Sequence, residues 1–166
     1  ALAEVAVHVA EAGATLGVDV VLAAAGGVVR HHAHAAVVDV IHRILTDPGR
    51  LARSWFDGVI ANSGLTVERY VELVSVTVLL NALDVFARAL GNDCKDLPAP
   101  TSGEPTQTRP ATARLDGAWV PQIPVGEEGG DDWEALYAGR EFVPQIGRAL
   151  SLVPSEVDLL NTVSTS

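Results

Sequence analysis

The chain has 166 residues, and its apolar content of 48% is enough for one domain, or for one domain and part of another. A formal net charge of −10 argues against nucleic acid and anionic membranes as partners, because phosphate groups are bound by an excess of Lys and Arg. The single cysteine, Cys94, excludes an intrachain disulfide and a cysteine-based metal site. No apolar run approaches the ~20 residues that cross a bilayer, so we expect a cytoplasmic protein.

The N-terminal stretch predicts three helices. The polar stripe along Ala1–Leu16 is typical of an amphipathic helix. The alanine content of Val18–Ala25 favours a short helix over a strand. Val28–Leu45 has the apolar spacing of a third helix, with Asp39 placed to pair with Arg43. The buried face of this helix is predicted to hold Val37, Val38, Ile41, Ile44 and Leu45.

Histidines are frequent in the third helix and raise the question of a metal site. The four are His31, His32, His34 and His42. No two of them are four residues apart, which is the spacing by which one helix face shares a metal ion. We therefore expect no metal here and interpret the histidines as a pH-sensitive surface or as hydrogen-bonded side chains.

The next two helices should be joined by a very short loop. Asp47-Pro48-Gly49 predicts a turn that restarts a helix, with Asp47 as the N-cap and Pro48 at the first helical position. Gly64 ends that helix, and another begins almost at once, so the two should pack antiparallel. The buried side of the first is predicted to hold Leu51, Trp55, Phe56, Val59 and Ile60.

The longest apolar-rich stretch, Leu65–Gly91, predicts the central helix, with Thr66 as N-cap and Gly91 as a left-handed C-cap. Its polar residues change sides near Val76. One face carries Glu68, Glu72 and Ser75, and the opposite face carries Thr77, Asn81, Asp84 and Arg88. A surface helix keeps one polar stripe, so this helix should be covered on different sides along its length, by its own domain and by another subunit.

After Gly91 the chain changes in character. Six of its nine prolines lie between Asp96 and Pro124, which predicts an extended arm rather than a helix. Trp119, Val120 and Ile123 indicate that this arm packs on a protein surface, its own or a neighbour's.

Short helices should complete the chain. Asp131 or Asp132 is predicted to cap one that ends at Tyr137. Phe142–Leu152 begins another, and Pro154 opens the last.

The stretches YVELV and NALDVFARALG resemble the central helix of the carboxymuconolactone decarboxylase and alkylhydroperoxidase D-like family. The resemblance covers about Ala36–Gly91 and resumes at Phe142–Val157, which looks like the opening of a second family repeat. It implies an all-α fold, an alkylhydroperoxidase D-like antiparallel helical bundle with an extended Pro-rich arm. The domains would be a helical domain at 1–91, an arm or linker at 92–130, and short helices at 131–166.

In redox-active members of this family, a Glu precedes a Cys-x-x-Cys pair by twelve residues, and two His accompany the pair. Counted from Glu72, the cysteine positions fall on Asp84 and Ala87, and the histidine positions fall on Phe86 and Gly91. The resemblance implies a peroxidase-related protein of antioxidant type. This domain itself should lack thiol redox activity, because the thiolate is the nucleophile.

Two other functions stay open. One is a carboxymuconolactone decarboxylase-like or lactone-acting enzyme that uses carboxylates on a small molecule. Its candidate catalytic residues are Glu72, as a general base, with Asp84 and Arg88 as a second polar patch whose simpler interpretation is an i,i+4 salt bridge. The other is a non-catalytic oligomerisation domain. We expect no cofactor and no metal, and a homo-oligomer built on dimers or trimers.

Overall fold

The computed structural model describes residues 31–92, 108–140 and 142–164, with side chains for 36–92, 108–140 and 142–161. The described residues are mainly helical and include a single two-stranded sheet, which confirms the all-α class. The helices predicted at Ala1–Leu16 and Val18–Ala25 lie outside the described residues. So do Cys94 and the side chains of His31, His32 and His34.

The chain divides into two compact units. Among the described residues, the first contains 31–66 and 73–92, and the second contains 67–72, 108–140 and 142–164. The predicted domain boundaries at 91 and 130 stay predictions.

In the first unit, helix α1 spans His31–Thr46 and helix α2 spans Arg53–Ser63. The core of α1 comes from Val37, Val40 and Ile41, which are at most 2% exposed. From α2, Phe56 and Val59 are buried, whereas the predicted core residue Trp55 is only half-buried. The helix ends at Gly64 in the left-handed conformation, as its sequence predicts.

The turn between α1 and α2 differs from the prediction. Pro48–Arg50 forms a separate 3-10 turn, and α2 begins only at Arg53, after the extended residue Ala52. Asp47 takes the N-cap position of this 3-10 turn, but its carboxylate makes no cap hydrogen bond and instead lies 3.5 Å from Nη1 of Arg50. Pro48 does take the first position of the 3-10 turn, which its fixed φ favours.

Trp55 links α2 to α1 through a polar contact. Its indole Nε1 donates to Oδ2 of Asp39 at 3.2 Å, and the guanidinium of Arg43 lies 5.5 Å from its ring centroid. Arg43 also lies 3.8 Å from the Asp39 carboxylate, which confirms the predicted i,i+4 pair. Trp55 is therefore part of a helix-to-helix contact at the edge of the core.

The central helix, α3, spans Val67–Ala89. It ends in a Schellman motif, in which the N–H of Asn92 donates to the carbonyl of Ala87 and that of Gly91 donates to Arg88. Gly91 has a φ of 69°, so the predicted left-handed C-cap is confirmed.

One described helix, α3, is long and apolar enough to cross a membrane by length and composition. The helix has 23 residues and a mean hydropathy of 1.6 in its most apolar window, which is sufficient by length and composition. Glu72 and Asp84 interrupt the apolar run of this helix without lowering its mean hydropathy much. The buried core helix of a soluble protein meets the same criterion, so this is weak evidence for a membrane.

Burial along α3 changes with position. Tyr70, Val71, Leu73, Ser75, Val76 and Thr77 are buried. Ser75 and Thr77 point to opposite sides of the helix, and they are only 3% and 0% exposed, so the helix is enclosed on both sides where its polar stripe changes. Beyond Asn81 most side chains are exposed.

In the second unit, the described part of the predicted arm folds into a hairpin. Strands β1, Arg114–Leu115, and β2, Pro121–Gln122, pair antiparallel, and a 3-10 turn follows at Gly126–Gly129. Val120 and Ile123 are 9% and 1% exposed, so the arm buries these two side chains as predicted, and it does so within its own chain. Trp119, which was predicted to pack with them, is 36% exposed.

Three short helices complete the second unit. They are α4, Gly130–Tyr137, α5, Gln145–Leu150, and α6, Pro154–Ser164. The prediction of an aspartate cap on α4 is wrong, since Gly129 occupies the cap position. Asp132 instead accepts bonds from the backbone N–H and hydroxyl of Thr112, at 3.0 and 2.7 Å, and these bonds lower its pKa. This contact ties α4 to the residues before the hairpin.

A substitution at Gly129 can test the packing of helix α4 in the second unit, because a side chain does not fit at this position. A Cβ at Gly129 would lie 2.3 Å from the carbonyl oxygen of Pro124 and 2.6 Å from Cβ of Trp133. We expect Gly129→Ala to lower the free energy of unfolding by roughly 1–3 kcal/mol in urea denaturation, as overpacking does. Gly147→Ala is the matched control in the same unit, since its Cβ would meet only ordinary contacts at 3.5 Å or more. Equal effects of the two substitutions would contradict the close approach at Gly129.

Candidate functional site

The predicted polar patch in the second half of α3 is an ion pair. Nε of Arg88 donates to both carboxylate oxygens of Asp84 at 2.9 Å. The two side chains are 54% and 31% exposed, and such i,i+4 pairs contribute only about 0.3–0.5 kcal/mol. The simpler interpretation of this patch, an intrahelical salt bridge, is confirmed.

Glu72, the predicted general base, is half-buried on α3. Twelve residues separate it from Asp84 on the same helix, which is about 18 Å along the axis. The three predicted residues therefore do not form one cluster, and a catalytic role for Glu72 stays a prediction.

Sequence analysis missed a set of polar side chains in the core of the second unit, here called the polar cluster. It consists of Gln122, Tyr137, Arg148, Ser151 and Glu156. Four of these residues are at most 2% exposed, and the side chain of Arg148 is 18% exposed. A buried polar group must be compensated by hydrogen bonds, so each contact within this cluster matters to the fold.

Ser151 and Tyr137 hold backbone groups in the polar cluster. The Ser151 hydroxyl accepts a bond from the N–H of Ile123 at 2.8 Å and donates to the carbonyl of Arg148 at 2.6 Å. The Tyr137 hydroxyl donates to the carbonyl of Gly147 at 2.7 Å. Through these bonds the segment after β2, helix α4 and helix α5 are joined.

Arg148 and Gln122 both hold the hairpin turn at Asp116. Nη2 of Arg148 lies 2.6 Å from Oδ2 of Asp116, and Nε2 of Gln122 donates to the carbonyl oxygen of the same residue. Oε1 of Gln122 and Nε of Arg148 are buried and have no hydrogen-bond partner among the described residues. The contacts made by these side chains hold the turn in place.

Glu156 lies in the first turn of α6, where a carboxylate interacts favourably with the helix dipole. Its side chain is completely buried, as are those of Gln122 and Ser151. Sequence periodicity could not reveal the cluster, because Gln122 lies between two prolines and Ser151 lies in a turn between helices. The only signal was Pro-Ser-Glu at 154–156, which is a typical helix start.

The described residues offer little for redox or metal chemistry. Asp84 and Ala87 stand where the resemblance would place thiols, and neither supplies a thiolate. Within residues 31–92, 108–140 and 142–164, no group of three or more His, Cys, Asp and Glu side chains could hold a metal ion.

Comparison of the chain with protein-family models, curated proteins and solved structures finds no match. The family resemblance described above therefore rests on the residues of this chain alone.

Both tyrosines of the chain are buried, and this generates a prediction about pH. Burial raises the pKa of Tyr70 to about 12, and that of Tyr137 to about 12 against the opposing effects of Ser151, Arg140 and Arg148. Because the folded-state pKa is raised above its ordinary value of 10.0, the stability linked to each phenol is complete below pH 10 and is lost as pH rises through about 12.

We expect the ultraviolet absorbance of tyrosinate to stay flat through pH 10 in the folded chain and to rise near pH 12. Tyr137→Phe should halve the amplitude of that rise, since the chain has two tyrosines. A half-amplitude transition near pH 10 in the folded protein would show that one phenol is not buried.

Proposed function

We propose that the chain is a peroxidase-related protein of the alkylhydroperoxidase D-like class, in which this helical domain has a structural, assembly role. Its helices would form the antiparallel bundle of that family around α3. The domain would have no thiol redox activity of its own.

The ion pair at Asp84 is the main observation that supports this proposal. A carboxylate held at 2.9 Å by the guanidinium of Arg88 stands where the family resemblance would place the attacking thiol. A carboxylate cannot take the place of the thiolate that attacks a peroxide oxygen and is oxidised through sulfenic acid. Ala87, at the second thiol position, has no reactive atom.

The exposed surface of α3 supports the assembly role. Leu83, Phe86 and Leu90 are between 47% and 70% exposed in the same stretch that carries the ion pair. Exposed apolar side chains that lie together on one helix are typical of an interaction surface.

We expect the full chain to show no turnover of an organic hydroperoxide with a dithiol reductant. The physical reason is the absence of a thiol pair, since Cys94 is the only cysteine. The measurement is peroxide consumption against a blank without protein, with a redox-active family member as the positive control for the assay.

Cys94→Ser is the matched control for the only thiol in the chain. The wild-type chain and this variant should both stay at the blank rate. Peroxide turnover that Cys94→Ser abolishes would refute the proposal.

A further inference from the structure

The second half of α3 carries an apolar stripe with the spacing of a coiled-coil seam. The stripe consists of Leu79, Leu83, Phe86 and Leu90, here called the seam. Intervals of four, three and four residues place these side chains within one narrow arc of the helix. Leu90 follows the last residue of α3 but keeps the helical bond from its N–H to the carbonyl of Phe86 at 3.1 Å.

The seam is open to solvent. Leu83, Phe86 and Leu90 are 47%, 70% and 65% exposed, and Leu79 is half-buried. This is the face that carries Glu68, Glu72 and Ser75 in the first half of the helix, so the apolar stripe begins where the polar one stops. Side chains of this size in an a/d pattern normally insert between those of a facing helix.

The charges on α3 would allow the facing helix to come from a second copy of the same chain. Between Leu79 and Leu90 the helix has only two charged side chains, Asp84 and Arg88, and both lie on the face opposite the seam. They also neutralise each other in a salt bridge. Two seams can therefore meet without bringing like charges together, even though the chain has a formal net charge of −10.

We propose that the seam docks against the seam of a second copy in an antiparallel helix pair, an inference that rests on the proposed assembly role of this domain. The spacing of four, three and four residues reads the same in both directions. An antiparallel twofold pair therefore places Leu79 against Leu90 of the second copy and Leu83 against Phe86 of the second copy, so that all four layers are filled. The opposed helix dipoles also favour this arrangement.

The size of the seam sets how tight the pairing is. Its exposed apolar surface is on the order of 300–400 Å² per copy, given the area of one Phe and two Leu at these exposures. The pair would bury about 700 Å² in total, which is below the ~1,200 Å² of a standard stable interface. The dimer formed by the seam alone is thus expected to be concentration-dependent and reversible.

Sedimentation of the full chain over a range of micromolar concentrations tests the docking. The wild-type chain should move from its monomer mass of 17.3 kDa toward twice that mass as concentration rises. Phe86→Glu should weaken dimerisation about a hundredfold, because twofold symmetry buries two unpaired carboxylates.

Val85→Glu is the matched control, because Val85 is 54% exposed on the same helix but lies about 100° away from Phe86. It should dimerise like the wild-type chain. At a concentration where every chain is monomeric, far-UV circular dichroism and the unfolding midpoint should be unchanged in both variants, since both positions are exposed. A wild-type chain that is monomeric at every concentration would overturn the proposal, and so would equal effects of the two substitutions.

Disulfide trapping in a Cys94→Ser background tests the direction of pairing. In an antiparallel pair, the two copies of residue 90 are separated by eleven residues of helix, or about 16 Å, which is beyond the reach of a disulfide. Leu90→Cys alone should therefore give no covalent dimer, whereas a mixture of Leu79→Cys and Leu90→Cys chains should give one. A covalent dimer from Leu90→Cys alone would overturn the antiparallel arrangement.

The two proposals can fail separately. Peroxide turnover would refute the structural role without affecting the sedimentation result. A chain that is inert toward peroxide and stays monomeric would refute only the docking of a second copy.

Discussion

The apolar surface of the central helix has to be covered on more than one side along its length. A helix with a single polar stripe can rest on one surface, but α3 changes its polar face near Val76. At that point Ser75 and Thr77, on opposite sides, are both buried. The first six residues of the helix belong with the second unit and the rest with the first, so different stretches contribute to different cores.

The second unit forms its core from a short, proline-rich segment. Its strands are only two residues long, and its helices have 8, 6 and 11 residues. Such short elements leave many backbone groups without a partner inside a helix or sheet. Side chains supply these bonds instead, as the hydroxyls of Ser151 and Tyr137 do for Ile123, Arg148 and Gly147. Buried polar residues are therefore an integral part of this core.

The exposed end of α3 combines an ion pair with a large apolar surface. Its two charged side chains satisfy each other across one helical turn, and its large apolar side chains face solvent. An ion pair beside an exposed apolar stripe suits contact with another helix.

The sequence by itself determined the helices and their ends. Apolar periodicity and glycine placement located α1, α2 and α3, and Gly64 and Gly91 end their helices in the left-handed conformation because a residue without Cβ adopts it at no steric cost. These are local effects, which depend only on neighbouring residues. The antiparallel family bundle and the roles of Glu72, Asp84 and Arg88 in a site stay beyond that local information.

Tertiary structure alone decided the partners of those polar side chains that bond to distant parts of the chain. Asp47 and Asp132 were predicted as caps from local preference, yet Asp132 bonds Thr112, which is twenty residues away in the chain. The polar contacts of the cluster join residues from 116 to 151 whose spacing follows no helix or strand period. Capping depends on backbone groups a few residues away, and a local sequence pattern can predict it. These contacts depend instead on loops that bring distant residues together, which the pattern of one stretch of sequence does not reveal.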